Sequence, residues 1–498
     1  MEWFAHALSY VRISMNFINI YAIIAIIFAF YIAKYVGDKL MKYPPGPVSL
    51  PLIGNYFQLT GSESLHQKLL TIWKQYGSIY RLNILGYNFV IINGHELIRE
   101  ALVNKGDSFS FRPILFPSCL GKGIIWSNGE EWHKFRKILQ FASRDVSLGR
   151  HVMEEYIMEG VQNVAEEMIT SMEQPTRLRN IIQKAVLNVF CKYILRVRYN
   201  FDDRLFIKLL ESIQTISDSA LSKFPESFQI FNPIIPLSLQ TKIENKKYRE
   251  AADTVKGVIL NIMKEIMRIP SGQKEGLIGK LLKDKDTSIT EDQLAGVVVD
   301  ILTHGFEASS SCILWCFLYL LQNSDVQRHC RMEIAEKIGF KRPISYKDKD
   351  ALHFINATIS EVQRISTPDP ISRPYYTQET VVVEGYTIPS GSYVLFHTYS
   401  AHMDHTYWKR PHEFRPKHFL DMAGNLTKHD AFFPFGIGPR SCTGEAFASQ
   451  TVFLFVSNML QRFQFMSPVG EQAPSAERDH VASRYPDNFA LCAIPSEL

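Results

Sequence analysis

The chain has 498 residues, 46% of them hydrophobic, with 54 basic against 50 acidic side chains and a formal net charge of +4. The near balance of charge argues against nucleic acid as a partner, and the apolar share is enough to bury a large core in one compact unit. Seven cysteines, at 119, 191, 312, 316, 330, 442 and 492, form neither a paired zinc motif nor a dense disulfide framework, so they read as reduced and cytosolic.

In chain order, residues 13–33 carry no charge and centre on Tyr21-Ala22-Ile23-Ile24-Ala25-Ile26-Ile27-Phe28-Ala29-Phe30. As a helix that run crosses roughly 30 Å of hydrocarbon. Lys34, Lys39 and Lys42 follow it and favour the cytosolic side, while Arg12 on the other flank weakens the asymmetry. The expected division is a short lumenal segment (1–12), a membrane anchor (13–33), a basic and proline-rich linker (34–47) and one folded domain (48–498). A cleaved signal peptide fits less well, because no small-residue cleavage site follows.

Within the domain, residues 131–137 read as a helix start that puts Trp132 and Arg136 four apart on one face. Phe224 to Pro236 is apolar and broken by prolines, so it is not one regular helix. Thr290-Glu291-Asp292-Gln293 has the form of a capping box and opens an apolar run to about Gln322, a helix about 45 Å long. Asp300, His304 and Glu307 put a polar stripe on it that a purely structural core helix would not want. Glu361 and Arg364 lie three apart on a helix that ends before Pro368. Residues 380–396 read as short strands and turns.

The chemistry is concentrated near the C-terminus, in Phe435-Gly436-Ile437-Gly438-Pro439-Arg440-Ser441-Cys442-Thr443-Gly444, followed by an apolar helical run. A cysteine at the head of a helix has unpaired N–H groups near its sulfur, which predicts a lowered thiol pKa. The three glycines predict a tight turn with positive φ and close backbone approach to a flat ligand. Phe435 is expected to pack beside the sulfur, and Arg440 to offer a fixed cation to a carboxylate.

This stretch resembles the haem-binding signature of the cytochrome P450 family, Phe-x-x-Gly-x-Arg-x-Cys-x-Gly, at every defining position, and the resemblance runs from the proline-rich segment to the C-terminus. It implies a mainly α fold with a smaller β region, with haem b held between the long central helix and the helix after the cysteine loop, and Cys442 as the axial metal ligand. Trp132 and Arg136 resemble the family's Trp-x-x-x-Arg pair, which together with Arg112 and Arg440 implies haem propionate contacts. Tyr375 falls where relatives carry a propionate-binding histidine or arginine. Glu361 and Arg364 resemble the Glu-x-x-Arg lock, with His418 where the family has an arginine.

His304-Gly305-Phe306-Glu307-Ala308-Ser309 aligns with the oxygen-activation segment, and Ala308 replaces its usual threonine. Gly305, Glu307 and Ser309 are the candidate catalytic residues there: Gly305 to let the helix bulge, Glu307 to bring protons, and Ser309 to replace the missing hydroxyl if the helix is locally distorted. The resemblance implies an endoplasmic-reticulum-anchored monooxygenase facing the cytosol, acting on a lipophilic substrate that enters under a 224–236 roof. Electrons would come from NADPH through a flavin-containing cytochrome reductase, with cytochrome b5 as a further partner and Lys134, Lys137 and Lys417 as a docking patch. The alternatives are a reductase-independent isomerase or dehydratase of a lipid peroxide, and a non-catalytic haem-binding protein.

Overall fold

The computed structural model describes residues 35–59, 63–84, 86–113, 123–144, 150–222, 246–270, 276–281, 289–471 and 485–496, with scattered positions between 22 and 33. Most of the expected anchor and all of the 224–236 roof lie outside these residues.

Helices dominate because apolar residues recur at three- and four-residue spacing. The principal ones are α1 (Gly129–Arg144), α2 (Arg150–Thr170), α3 (Leu178–Leu195), α4 (Arg204–Ser222), α5 (Lys246–Arg268), α6 (Glu291–Asp300), α7 (Phe306–Gln322), α8 (His353–Ser366) and α9 (Glu445–Arg462). In α5, Ala251, Ala252, Val255, Val258, Ile259, Ile262, Met263 and Ile266 make one buried stripe, and it packs on the matching stripe of α4. By contrast α3 is buried nearly all round, since α2, α7 and α5 surround it.

The capping box at the start of α6 forms as expected. Thr290 Oγ1 accepts from the Gln293 amide at 3.2 Å, and the Thr290 amide donates to Gln293 Oε1 at 3.0 Å. Gln293 Nε2 also donates to Glu131 Oε1 at 2.7 Å, tying this helix to the first turn of α1. Between α6 and α7 lies a π-turn, Ile301–Gly305, so the long helix is continuous but locally widened and underwound, with more residues per turn. Among the described residues, Glu291–Gln322 is apolar and long enough to cross a membrane, yet most of it is buried against other helices; it is the core rod of the domain.

The β region is larger than residues 380–396. A four-stranded sheet has the order β1 (Ile79–Ile84), β2 (Tyr87–Ile92), β7 (Tyr393–Phe396), β4 (Tyr375–Tyr376). β2 and β7 run parallel, pairing Phe89 with Tyr393 and Ile92 with Phe396, and the other two pairings are antiparallel. The 380–396 stretch supplies the hairpin β5–β6 (Val381–Val383, Tyr386–Ile388) and β7. Near the C-terminus β8 (Phe463–Met466) and β9 (Ala490–Pro495) pair with each other, and β9 with the two-residue β3 (Thr176–Arg177). The proline-rich segment lies along the first sheet: the Arg81 amide donates to Pro45 O at 2.8 Å and Arg81 ion-pairs with Asp38.

Candidate active site

The cysteine loop is shaped by its glycines and by the chain it abuts. Gly436 and Gly438 have φ of +69° and +78°, and a Cβ on Gly438 would lie 2.0 Å from Leu102 O. Gly444 differs from expectation, with φ of −96° at the N-terminus of α9. Its role is the N–H that it directs at the Cys442 sulfur. The Cys442 amide donates to Phe435 O at 2.9 Å, so Phe435 closes the loop through its backbone.

Cys442 is exposed, yet the surrounding protein displaces most of its solvent, and this desolvation raises its thiol pKa. The expected lowering is thus corrected. The Gly444 N–H and Arg373 favour the thiolate, whereas Glu445 and Asp369 oppose it, and burial outweighs the favourable dipoles. A thiolate here needs a cation on the sulfur itself.

Beside the loop three arginines converge. Arg136 donates to Ser441 O and Oγ at 2.8 and 3.0 Å, fastening α1 to the residue before Cys442. Arg440 donates to Ser110 O and Ser127 O, and its guanidinium lies 4.1 Å from the centre of the Trp132 ring. Arg112 donates to Arg373 O and Pro374 O and lies 3.9 Å from the Tyr375 ring centre, while its Nε is buried without a partner among the described residues. Asn128, which sequence reasoning missed, accepts from the Arg112 amide and from Arg440 Nη2. Its signal was its place directly before α1, where a short polar side chain commonly organises a turn.

Burial, reinforced by Arg112 and Arg136, pushes the Arg440 pKa down to about 9. Among the described residues none of the three arginines is ion-paired with a carboxylate. Crowded, half-desolvated cations of this kind are satisfied by a bound anion.

Behind the loop, Arg364 clamps Glu361 with two bonds, Nε to Oε2 at 2.7 Å and Nη2 to Oε1 at 2.8 Å, and both side chains are fully buried. The Arg415 amide donates to Glu361 Oε1 at 2.8 Å, and His418 Nδ1 lies 3.0 Å from the same oxygen. His418 Nε2 lies 2.6 Å from Lys409 O, so both ring nitrogens face acceptors and only the doubly protonated ring makes both bonds. The histidine thus takes the arginine's place in the lock. Arg364 also donates to His402 O, and His402 Nε2 accepts from the Phe433 amide, which joins the lock to the start of the cysteine loop.

On the long helix, every residue from Leu294 to Leu321 is buried except Ile301, His304, Gly305 and Ala308. These four recur at three- and four-residue spacing and form the half-exposed face of the helix. The bulge is present as the π-turn, but Gly305 serves packing: a Cβ there would meet Phe190 Cε1 of α3 at 2.7 Å, and Phe190 in turn packs edge-on against Phe447 of α9. Ser309 does not reach the half-exposed face. The distortion ends before α7, so Ser309 stays about 100° round from Ala308, with its hydroxyl buried and, among the described residues, without a hydrogen-bond partner. Glu307 is buried beside it.

Asp300 is buried and accepts from the Ile125 amide at 2.9 Å; a Cβ on Gly123 would lie 2.1 Å from its Oδ2. Burial raises its pKa to about 6 against the pull of that N–H and of Arg373. Arg373, absent from the sequence reading, donates to His304 Nδ1 at 3.3 Å. Its one signal was a charge set between Pro370 and Pro374 in an apolar stretch.

The family model for Cytochrome P450 matches residues 44–493. The chain belongs to the cytochrome P450 family. It is 30% identical over 473 residues to "Cytochrome P450 2D28" of Mesocricetus auratus, covering 91% of this chain and 93% of that protein. It is 30% identical over 479 residues to "Cytochrome P450 2D26" of Rattus norvegicus, with the same coverage, and 29% identical over 472 residues to "Cytochrome P450 2D1" of Rattus norvegicus, with 92% and 93% covered. As a cytochrome P450 it is a haem-thiolate monooxygenase, and its own residues suit that group: the exposed sulfur of Cys442, and beside it an anion-seeking arginine group whose Arg112 Nε has no partner among the described residues.

Proposed function

We propose that this chain is a membrane-anchored monooxygenase that takes electrons from NADPH through a flavoprotein reductase and oxygenates a lipophilic substrate. The observation that carries the site is the convergence of Arg112, Arg136 and Arg440, without a carboxylate among the described residues, next to the accessible sulfur of Cys442. In this reading Cys442 would ligate the iron of haem b, and Trp132, Arg136, Arg112 and Arg440 would hold its propionates. Haem bound there would supply dioxygen reduction, with one oxygen atom going to a carbon–hydrogen bond (hydroxylation) or across a carbon–carbon double bond (epoxidation) and the other leaving as water.

The chain's own work is to hold, exclude and relay. Trp132, 4% exposed, keeps water from the arginines, and Phe435 fixes the loop that carries the sulfur. Glu307 stands for the proton route, with water or a substrate hydroxyl in place of the hydroxyl that Ala308 lacks. Lys137 and Lys417 are exposed and Lys134 half-exposed, available to an acidic redox partner. Residues 13–33 anchor the protein in the endoplasmic reticulum, with residues 34–47 as linker and 48–498 as the cytosolic catalytic domain; cytochrome b5 is a second electron donor.

The test is turnover of purified, haem-loaded protein in two arms. Oxygenated product with NADPH and reductase, and none with a lipid hydroperoxide alone, is expected. Turnover with the hydroperoxide alone would overturn the reductase-dependent route.

A further inference from the structure

The half-exposed side of the long helix is apolar at Ile301 and Ala308 but carries His304 between them, bonded to Arg373 of the 370–374 segment. An arginine always donates, so His304 Nδ1 is the acceptor, and the ring carries its proton on Nε2. Arg373 and Asp369 both act electrostatically on Cys442, and Arg112 donates to Arg373 O at 2.9 Å, which puts the pair next to the arginine group beside the cysteine loop. Both side chains are half-exposed, and a few convergent polar groups beside an apolar wall fix a ligand's orientation.

The charge balance narrows the ligand. Arg373 already lies in the field of Asp300, and Asp369 acts with it on Cys442. With Arg112, Arg136 and Arg440 assigned to the propionates, Arg373 is the remaining cation, and a carboxylate ligand would be a third negative charge beside it, whereas a neutral oxygen adds none.

We propose that Arg373 and His304 form an oxygen-recognising subsite, and that the substrate is a neutral lipophile bearing a hydroxyl or ketone held by this pair, its carbon frame lying on Ile301 and Ala308. This deepens the monooxygenase reading and rests on it for the meaning of substrate. The departure from the family pattern is then coherent: a substrate whose oxygen is pinned near the helix brings its own polar group to the place where residue 308 has only a methyl.

The experiment compares four probes sharing one frame: cyclododecane, cyclododecanol, cyclododecanone and cyclododecanecarboxylic acid. Their binding to haem-loaded protein is read by equilibrium dialysis and by the Soret shift. In the wild type the alcohol and ketone are expected to bind about tenfold or more tighter than the hydrocarbon and the acid. Arg373→Met should remove that preference and leave hydrocarbon binding unchanged; His304→Ala should weaken it severalfold and serves if Arg373→Met does not fold. A purely structural Arg373 would leave the preference intact.

Equal binding of alcohol and hydrocarbon by the wild type, retention of the preference in both variants, or tightest binding of the acid would each overturn the subsite. The carbon monoxide difference spectrum, run alongside, separates the two ideas. Loss of the thiolate-type band in the wild type would sink the haem-thiolate reading, whereas dialysis still reads the subsite.

Discussion

The two walls of this site are built to different rules. On the cysteine side every defining position of the family signature is present, and the structure puts each to use: Gly438 against Leu102 O, Arg440 against Trp132, Cys442 with an N–H on its sulfur. The opposite wall keeps the helix and its π-turn but changes the side chains on its half-exposed face, with His304 and Ala308 on the helix and Arg373 across from it. A cofactor common to a whole family constrains the first wall, whereas a particular substrate constrains the second. Similarity to relatives is therefore informative about the haem and weak about the ligand.

The comparison breaks most severely at the sulfur. Cys442→Ala is expected to abolish the thiolate-type carbon monoxide difference band, and a retained band would remove the basis of the cysteine-side assignment. Next, Gly438→Ala should prevent haem retention, because its Cβ would lie 2.0 Å from Leu102 O, whereas Gly436→Ala, with its nearest neighbour at 3.9 Å, should cost only about 1–2 kcal/mol for its left-handed φ. Haem content per protein after purification distinguishes them. Glu361→Gln leaves the buried Arg364 charge poorly compensated and is expected to lower stability by about 3–5 kcal/mol, read from the denaturant midpoint. On the other wall, Ala308→Thr should raise product formed per NADPH severalfold without altering the carbon monoxide spectrum. An unchanged ratio would mean that proton delivery does not limit turnover.

The smallest effect is a pH dependence on the cysteine side. Burial pushes the pKa of both His397 and His402 down from 6.5 to about 3. An unfolded histidine takes up its proton near pH 6.5, while the folded ones refuse it until about pH 3, so the unfolded state binds more protons over that interval. Their contribution to stability is fully present above about pH 6.5 and is lost progressively as pH falls toward 3. Replacing His402 by Gln should flatten that part of the curve in acid denaturation monitored by circular dichroism.

How much was legible in the sequence follows from how local each device is. The Thr290 capping box, the Glu361–Arg364 pair and the Phe435–Gly444 loop each lie within a few residues, and their chemistry was readable from spacing. Strands β1, β2, β8 and β9 were missed because their partners are far away in the chain; β2, for example, pairs with residues 393–396. Asn128 was missed for the same reason, since its carbonyl oxygen matters only once residues 112 and 440 meet over it. The thiol pKa was misjudged because a helix N-terminus is visible in sequence, but the protein that desolvates Cys442 is not.

By itself the sequence determined the class of this protein, because a thiolate loop and a glutamate–arginine clamp are short motifs whose residues must lie close together to work. Tertiary structure alone decided that both His418 ring nitrogens meet acceptors, that Gly305 accommodates Phe190, that Ser309 turns into the core and that Arg373 meets His304. Each of those depends on which distant surfaces touch, and burial and charge at a contact are properties of the assembled fold.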